Sequence, residues 1–284
     1  MSSDQPEELT ETERVQRAAA RSAISDSRAA MASGDEAERH AAAGAFLQAL
    51  NQLNPDETRD KLHVPDDAGP YRDGLIAIMS RIPDGWGRWI GCRAGWYPIL
   101  VELDRKLAAI DPAHEVRQCK QKFGSLRYYF DTELGDDVRA QMRALVAAAE
   151  ELSTTTCEFC GAPGALHIDR YGGVVTACAA CGVAEGFGRL GETVDELTAE
   201  MPGVWRVSDG DGECRIDLNY AIYQDDSDDE LWTIARVDIW PRVGGELRLV
   251  VVPYHYERPQ APDADPGPES LRESGVITRI ERVR

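Results

Sequence analysis

Lysine is scarce in this chain, present only as Lys61, Lys106, Lys120 and Lys122, and no stretch approaches the roughly 18 uninterrupted apolar residues of a membrane-spanning helix. No membrane span is expected. The 31 basic residues are therefore mostly arginine, and 50 acidic ones outnumber them for a formal charge of -19. A surface that acidic repels phosphate backbones over a Debye length of roughly 8 to 10 Å, which disfavours non-specific nucleic-acid binding by the chain as a whole. The sequence also lacks a phosphate-cradling glycine loop, a Gly-x-Ser-x-Gly elbow and a His-Glu-x-x-His helix. Its five histidines, His40, His63, His114, His167 and His255, are scattered without a local partner pattern. From Met1 to Arg21, acids begin at residue 4 and the basic start and apolar core of a secretory leader are missing, so a cytoplasmic setting is expected.

Hydrophobic residues make up 43% of the 284, enough for two or three compact units with cores of their own. No period of 20 to 50 residues marks a repeat protein. Residues 1–60 read as helix over a polar background, with a break at Gly34-Asp35, Ala45, Leu47, Leu50 and Leu53 at loose helical spacing, and Asn54-Pro55 as a stop. Further helices are expected over about 71–81, 97–110 and 136–152, the second closed by Asp111-Pro112. Trp86, Trp89 and Trp96 read as a core-filling aromatic cluster. Residues 115–130 alternate as a hairpin around Phe123-Gly124-Ser125.

After a short helix at 194–200, strands are expected at 204–207, 214–223, 231–240 and 246–256, then an extended loop at 259–268 and a last strand at 276–280. Turns rich in Asp, Gly and Ser between them mark an antiparallel meander, and the third strand keeps one apolar face only with a register break near Arg236. The fold class is thus α+β: a helical N-terminal arm (1–65), a helix-hairpin-helix unit with a four-cysteine, zinc-ribbon-like site (66–185), and an antiparallel sheet (186–284).

Seven cysteines are present, and four fall into two Cys-x-x-Cys pairs, Cys157/Cys160 and Cys178/Cys181, seventeen residues apart. In a reducing compartment that spacing points to metal ligation over disulfides. Two intervening residues let one turn aim both thiolates at a single ion, and Gly161 and Gly182 follow the pairs where a turn needs relief. Four thiolates fill a tetrahedral shell and leave no position for water, so one structural Zn2+ is expected, with an iron-sulfur cluster as the alternative. A nucleobase deaminase is rejected because His167 is followed by Ile168-Asp169, not by the required x-Glu. Cys92, Cys119 and Cys214 read as small buried residues.

The runs Gly95-Trp96-Tyr97-Pro98, Lys122-Phe123-Gly124-Ser125-Leu126-Arg127-Tyr128 and Cys157-Glu158-Phe159-Cys160-Gly161-Ala162-Pro163-Gly164 resemble a family of uncharacterised proteins of bacteria and their phages. That family carries a Gly-Trp-x-Pro segment, a Phe-Gly-x-Leu-Arg-[Phe/Tyr] hairpin and a Cys-x-x-Cys-Gly-x-Pro-Gly knuckle. The likeness covers residues 85–182 and implies a zinc-knuckle unit without naming a substrate.

Arg117, Lys120, Lys122 and Arg127 concentrate positive charge on the hairpin, but Arg117 and Lys120 differ by an odd number of positions and point to opposite faces of a regular strand. Residues 209–230 hold nine acids, Asp209, Asp211, Glu213, Asp217, Asp225, Asp226, Asp228, Asp229 and Glu230, against one base, Arg215. Their likeness to a calcium loop is superficial, since the spaced pattern ending in Glu is incomplete. The leading expectation is a non-enzymatic binding protein whose acidic surface engages a basic protein, with immunity or phage-host conflict as a setting. Its alternative is a nucleic-acid-binding regulator using the hairpin 117–127, and third comes an enzyme whose site the fold assembles.

Overall fold

The structure, a computed structural model, describes residues 6–33, 36–227, 230–254 and 268–283. The break expected at 34–35, Asp228 and Asp229, His255 and nearly all of the 259–268 loop lie outside these residues. The chain is α+β and packs as two compact units, the first comprising 1–121 and 125–153 and the second 122–124 and 154–284. The division thus falls at Thr154, inside the segment 66–185 that sequence reading groups together.

In the first unit, helices α1 (Glu11–Ser33) and α2 (Glu36–Asn51) form the arm. A capping box starts α1: the Thr10 backbone N–H donates to Glu13 Oε2 at 2.7 Å, and the Glu13 N–H donates to Thr10 Oγ1 at 3.3 Å. Glu13 also receives Lys61 Nζ at 2.7 Å, while Glu8 receives Arg72. The arm is therefore tied down by caps and ion pairs as much as by Ala20, Ala23 and Ala30, its buried small residues. The apolar positions read on α2 build no core, for Leu47 and Leu50 are exposed. α2 ends at Asn51, just before the Asn54-Pro55 signal, and Pro55 then starts the short helix α3 (Pro55–Thr58), with Pro in the first turn where a missing N–H costs nothing.

Helices α4 (Arg72–Ser80), α5 (Tyr97–Ile110) and α6 (Asp136–Ser153) surround a small sheet whose order is β1 (Ile90–Gly91), β2 (Glu115–Lys122), β3 (Ser125–Asp131). Leu75, Ile78 and Met79 of α4, Leu100, Leu103 and Leu107 of α5, Met142 and Val146 of α6, and Leu126 and Tyr128 of β3 share one core. Of the three tryptophans expected to fill it, only Trp96 is buried. Trp86 is exposed beneath the Arg117 guanidinium, and Trp89 is half-buried beside His63. Inside this core lies a polar network: Asp104 Oδ1 accepts from Tyr128 Oη at 3.0 Å and stands 3.2 Å from Arg81 Nε and 3.3 Å from His114 Nε2. Neither of the last two contacts is well aligned as a hydrogen bond, and the Arg81 guanidinium acts on the carboxylate mainly through its charge.

The second unit carries a three-stranded sheet ordered β5-β4-β6, from β4 (Ala165–Ile168), β5 (Val174–Ala177) and β6 (Gly188–Arg189), with helix α7 (Ala179–Ala184) between β5 and β6. Beyond it, β7 (Val204–Ser208), β8 (Glu213–Asp217), β9 (Ile222–Asp225), β10 (Leu231–Ile239), β11 (Arg248–Pro253) and β12 (Ser270–Glu273) follow one another as a meander. A last strand, β13 (Arg279–Arg282), returns to the far edge beside β7 and completes an antiparallel seven-stranded sheet. The register of β10 shifts at Ile234/Arg236, where the alternation requires it, and again at Val237/Ile239.

Two expectations fail here. The strand read over 214–223 is a hairpin, because Asp217 Oδ1 accepts the Asn219 N–H at 2.9 Å and Ala221 takes φ 53°, turning the chain between β8 and β9. The helix read at 194–200 does not form. Its backbone bonds leave the segment, from Leu197 N–H to Pro241 O and from Val243 N–H to Asp195 O, and Leu197 is buried in the sheet's core.

Burial alone would push the Asp104 carboxyl up, but His114, Arg81 and the Tyr128 hydroxyl together hold it below the usual carboxylate range. Such a group stabilises the fold above its unfolded pKa, and that contribution is lost as pH falls through the folded value. Asp104→Asn should cost about 3 kcal/mol at neutral pH by stranding Arg81 and His114. In urea titrations followed by tryptophan fluorescence, the variant should also lose less stability than the parent between about pH 5 and pH 2.

Candidate metal centre

The first cysteine pair sits on a loop tied to its own backbone. Gly161 N–H donates to Cys157 O at 2.9 Å, Cys157 N–H donates to Ala162 O at 2.7 Å, and Gly161 takes φ 77°, a left-handed turn that suits glycine. Gly164 N–H then donates to Thr155 O, closing the loop. The second pair is built on the start of a helix. Cys178 follows β5 directly and caps α7, its Sγ accepting the Cys181 N–H at 3.5 Å, so Cys181 lies in the first helical turn.

These two supports bring all four Sγ atoms within 4.8 Å of one another. Cys160 Sγ and Cys178 Sγ stand 3.7 Å apart. Two sulfurs at tetrahedral vertices about 2.3 Å from a zinc would lie about 3.8 Å apart, so that separation suits a shared ion. The four cysteines close together can hold a metal ion. Left to themselves the thiols titrate against one another. The Cys181 backbone N–H, and then its thiol, draw Cys178 down to about 7, while Cys178 followed by Cys160 pushes Cys181 up to about 12. Thiolates this crowded ionise together only around a cation.

Glycine serves the second pair by a route that spacing does not reveal. Gly182 is helical, and a Cβ there would lie 2.5 Å from His167 Cδ2. The His167 ring is buried under that glycine with Nδ1 2.9 Å from Ala165 O, a packing role. Sequence reasoning placed Gly164 in the knuckle run without giving it a role, and missed Thr176. A Cβ on Gly164 would meet Cys157 N at 2.9 Å and Ala177 O at 3.1 Å, and Thr176 Oγ1 donates to Gly124 O at 2.6 Å, pinning the tip of the β2–β3 hairpin. No local signal in the sequence marks Thr176.

The remaining cysteines stay apart from the site. Cys119 and Cys214 are buried, and burial pushes the Cys214 thiol up to about 12. The basic hairpin is partly neutralised: Arg117 pairs with Asp131 at 2.7 Å and Glu115 at 2.8 Å, and Arg127 stands 3.8 Å from Glu150. Lys122 lies 5.3 Å from the ring of Phe123, which is 72% exposed at a turn where it and Gly124 take φ 53° and 74°. Asp209 does not present a cation loop, since its carboxylate accepts the backbone N–H groups of Asp211, Gly212 and Gly275, which hold its pKa down.

No helix among the described residues is long and apolar enough to cross a membrane. No protein-family model, curated protein or solved structure matches the chain.

Gly164→Ala should weaken metal retention by about 10- to 100-fold, as displaced supporting groups do at metal sites, when read by competition with a chelator. Unchanged affinity would show that the Cys157 loop yields without cost.

Proposed function

We propose that the chain is a non-enzymatic binding protein in which one Zn2+ on Cys157, Cys160, Cys178 and Cys181 stabilises the fold and an acidic surface engages a basic protein. The zinc reading rests on one observation above the rest: residues 154–191 contribute to neither of the two hydrophobic cores found among the described residues. What they bury is Cys157, Glu158, His167, Thr176, Ala177 and Gly182, a set too small and polar to fold a segment by apolar burial alone. A four-thiolate zinc supplies folding free energy without an open coordination position, so its role is structural. In the same reading, segment 85–182 belongs with the bacterial and phage family that shares its three motifs, and immunity or phage-host conflict is a setting that suits an acidic binding protein.

The acidic surface is a concavity of about 480 Å3 at one end of the seven-stranded sheet, where Asp209, Asp211, Glu213, Asp225, Asp226 and Glu273 gather. Arg206, Arg215 and Arg248 pair with Glu213, Asp226 and Glu273, leaving an excess of negative charge. Asp209 and Asp225 are held below the usual carboxylate range, Asp209 by three backbone N–H groups and Asp225 by Ser227, so they stay charged. Opposite fields would speed encounter with a basic partner. One observation favours the second reading: Phe123 beside Lys122 offers an aromatic face and a cation together, the pairing that single-stranded nucleic acid uses.

Cys157→Ser and Cys181→Ser should each lose stoichiometric zinc and the hydrogen-exchange protection of 154–191; full metal content in both would sink the four-ligand assignment, and a visible absorption band in the parent would identify iron instead. For the partner, affinity capture with and without nuclease should retain a basic protein in both arms. Recovery of nucleic acid that is lost steeply with added salt would move the second reading to first place.

A further inference from the structure

The four sulfurs are unequally sheltered. Cys157 is fully buried, Cys178 and Cys181 are half-buried, and Cys160 is exposed. The Cys157 backbone is sealed by its bond to Ala162 O and by Gly164 lying against it, too close to admit a Cβ. Cys160 has solvent on one side and the Cys178 sulfur 3.7 Å away on the other. A disulfide needs about 2.05 Å between sulfurs, so these two half-open side chains must close by less than 2 Å between them.

We propose that Cys160 is a modification site for peroxides, and that its oxidation ends in a Cys160–Cys178 disulfide that releases the metal; the proposal rests on the zinc reading. The Cys160 thiolate attacks a peroxide oxygen, forming an S–O bond as the O–O bond breaks, so sulfur is oxidised to a sulfenic acid and hydroxide leaves. The Cys178 thiolate then attacks that sulfur, forming S–S as the S–O bond breaks and a second hydroxide departs. Two thiolates, one hydrogen peroxide and two protons become one disulfide and two waters. Zinc is left with Cys157 and Cys181 alone, short of the four ligands that a structural site requires. Because 154–191 has no apolar core to fall back on, loss of the ion removes what orders it, and with it the Thr176 bond to Gly124. The metal segment would thus answer to oxidant as well as hold the fold.

The test uses the full-length chain without substitution, so no variant has to fold. Its zinc content is measured first, and the zinc-loaded chain is then treated with hydrogen peroxide, with released zinc read by a chromogenic chelator and crosslinks mapped by peptide mass spectrometry. A parallel sample is labelled with N-ethylmaleimide over time. The expected results are one zinc released per disulfide, a Cys160–Cys178 crosslink, and labelling of Cys160 at least about tenfold faster than Cys157. A Cys157–Cys160 crosslink, zinc retained under excess peroxide, or labelling of Cys157 first overturns the proposal and leaves the zinc reading standing. A chain that binds no zinc overturns both.

Discussion

Four sulfur atoms meet in one place between Thr154 and Gly191, in a segment that contributes to neither hydrophobic core. The strands there are two to four residues long and α7 spans six, lengths at which neither sheet nor helix is stable by itself. Elsewhere in the chain such pieces are held by apolar side chains: Leu100, Leu107 and Met142 in the first unit, Trp205, Leu249 and Ile280 in the second. Here the equivalent buried positions are a cysteine, a glutamate, a threonine, an alanine and a histidine against a glycine. In the proposed reading, cross-linking two loops through one zinc replaces the missing area, and zinc is the ion whose ligand preference and geometry suit four thiols at that spacing.

That dependence explains why the surrounding details are strict. Gly161 supplies a left-handed turn, Gly164 permits close backbone approach, and Gly182 admits an imidazole, so three glycines shape one site for three different reasons. The ribbon also has two uses for its two sides. His167 and Ala177 alternate with Leu166 and Thr176 along β4 and β5; the first pair turns toward the metal loops and the second receives the hairpin tip at Gly124. The tip in turn holds Phe123 in a left-handed conformation that costs a non-glycine residue about 1 kcal/mol or more. A bulky aromatic kept exposed under that strain is the reason the nucleic-acid reading retains an observation of its own.

In the first unit the organising constraint is the reverse, a charge inside a core. Asp104 is tolerated among Leu103, Leu107 and Tyr128 because Arg81, His114 and a phenol converge on one of its oxygens. Such a network adds little net stability compared with apolar packing, yet it penalises every arrangement in which one partner is missing.

Local chemistry was legible in the sequence: α5 from its apolar spacing and Asp111-Pro112 stop, the hairpin from strict alternation, the register break in β10, and the cysteine pairs from their spacing. Each of these is decided by residues within a few positions of one another, where periodicity and turn preference act directly. What only the tertiary structure decided are matters of long-range partnership. Residues 194–200 had helical composition, but Pro241 and Val243 claimed their backbone groups. Leu47 and Leu50 kept helical spacing yet are exposed among the described residues, and of the three tryptophans Trp86, Trp89 and Trp96 only Trp96 is buried in the core. Arg117 met Asp131 of β3 besides Glu115 of its own strand, and Arg127 met Glu150 of α6. A side chain's burial and its counter-charge depend on which distant segment arrives beside it, and one chain read alone carries no record of that arrival.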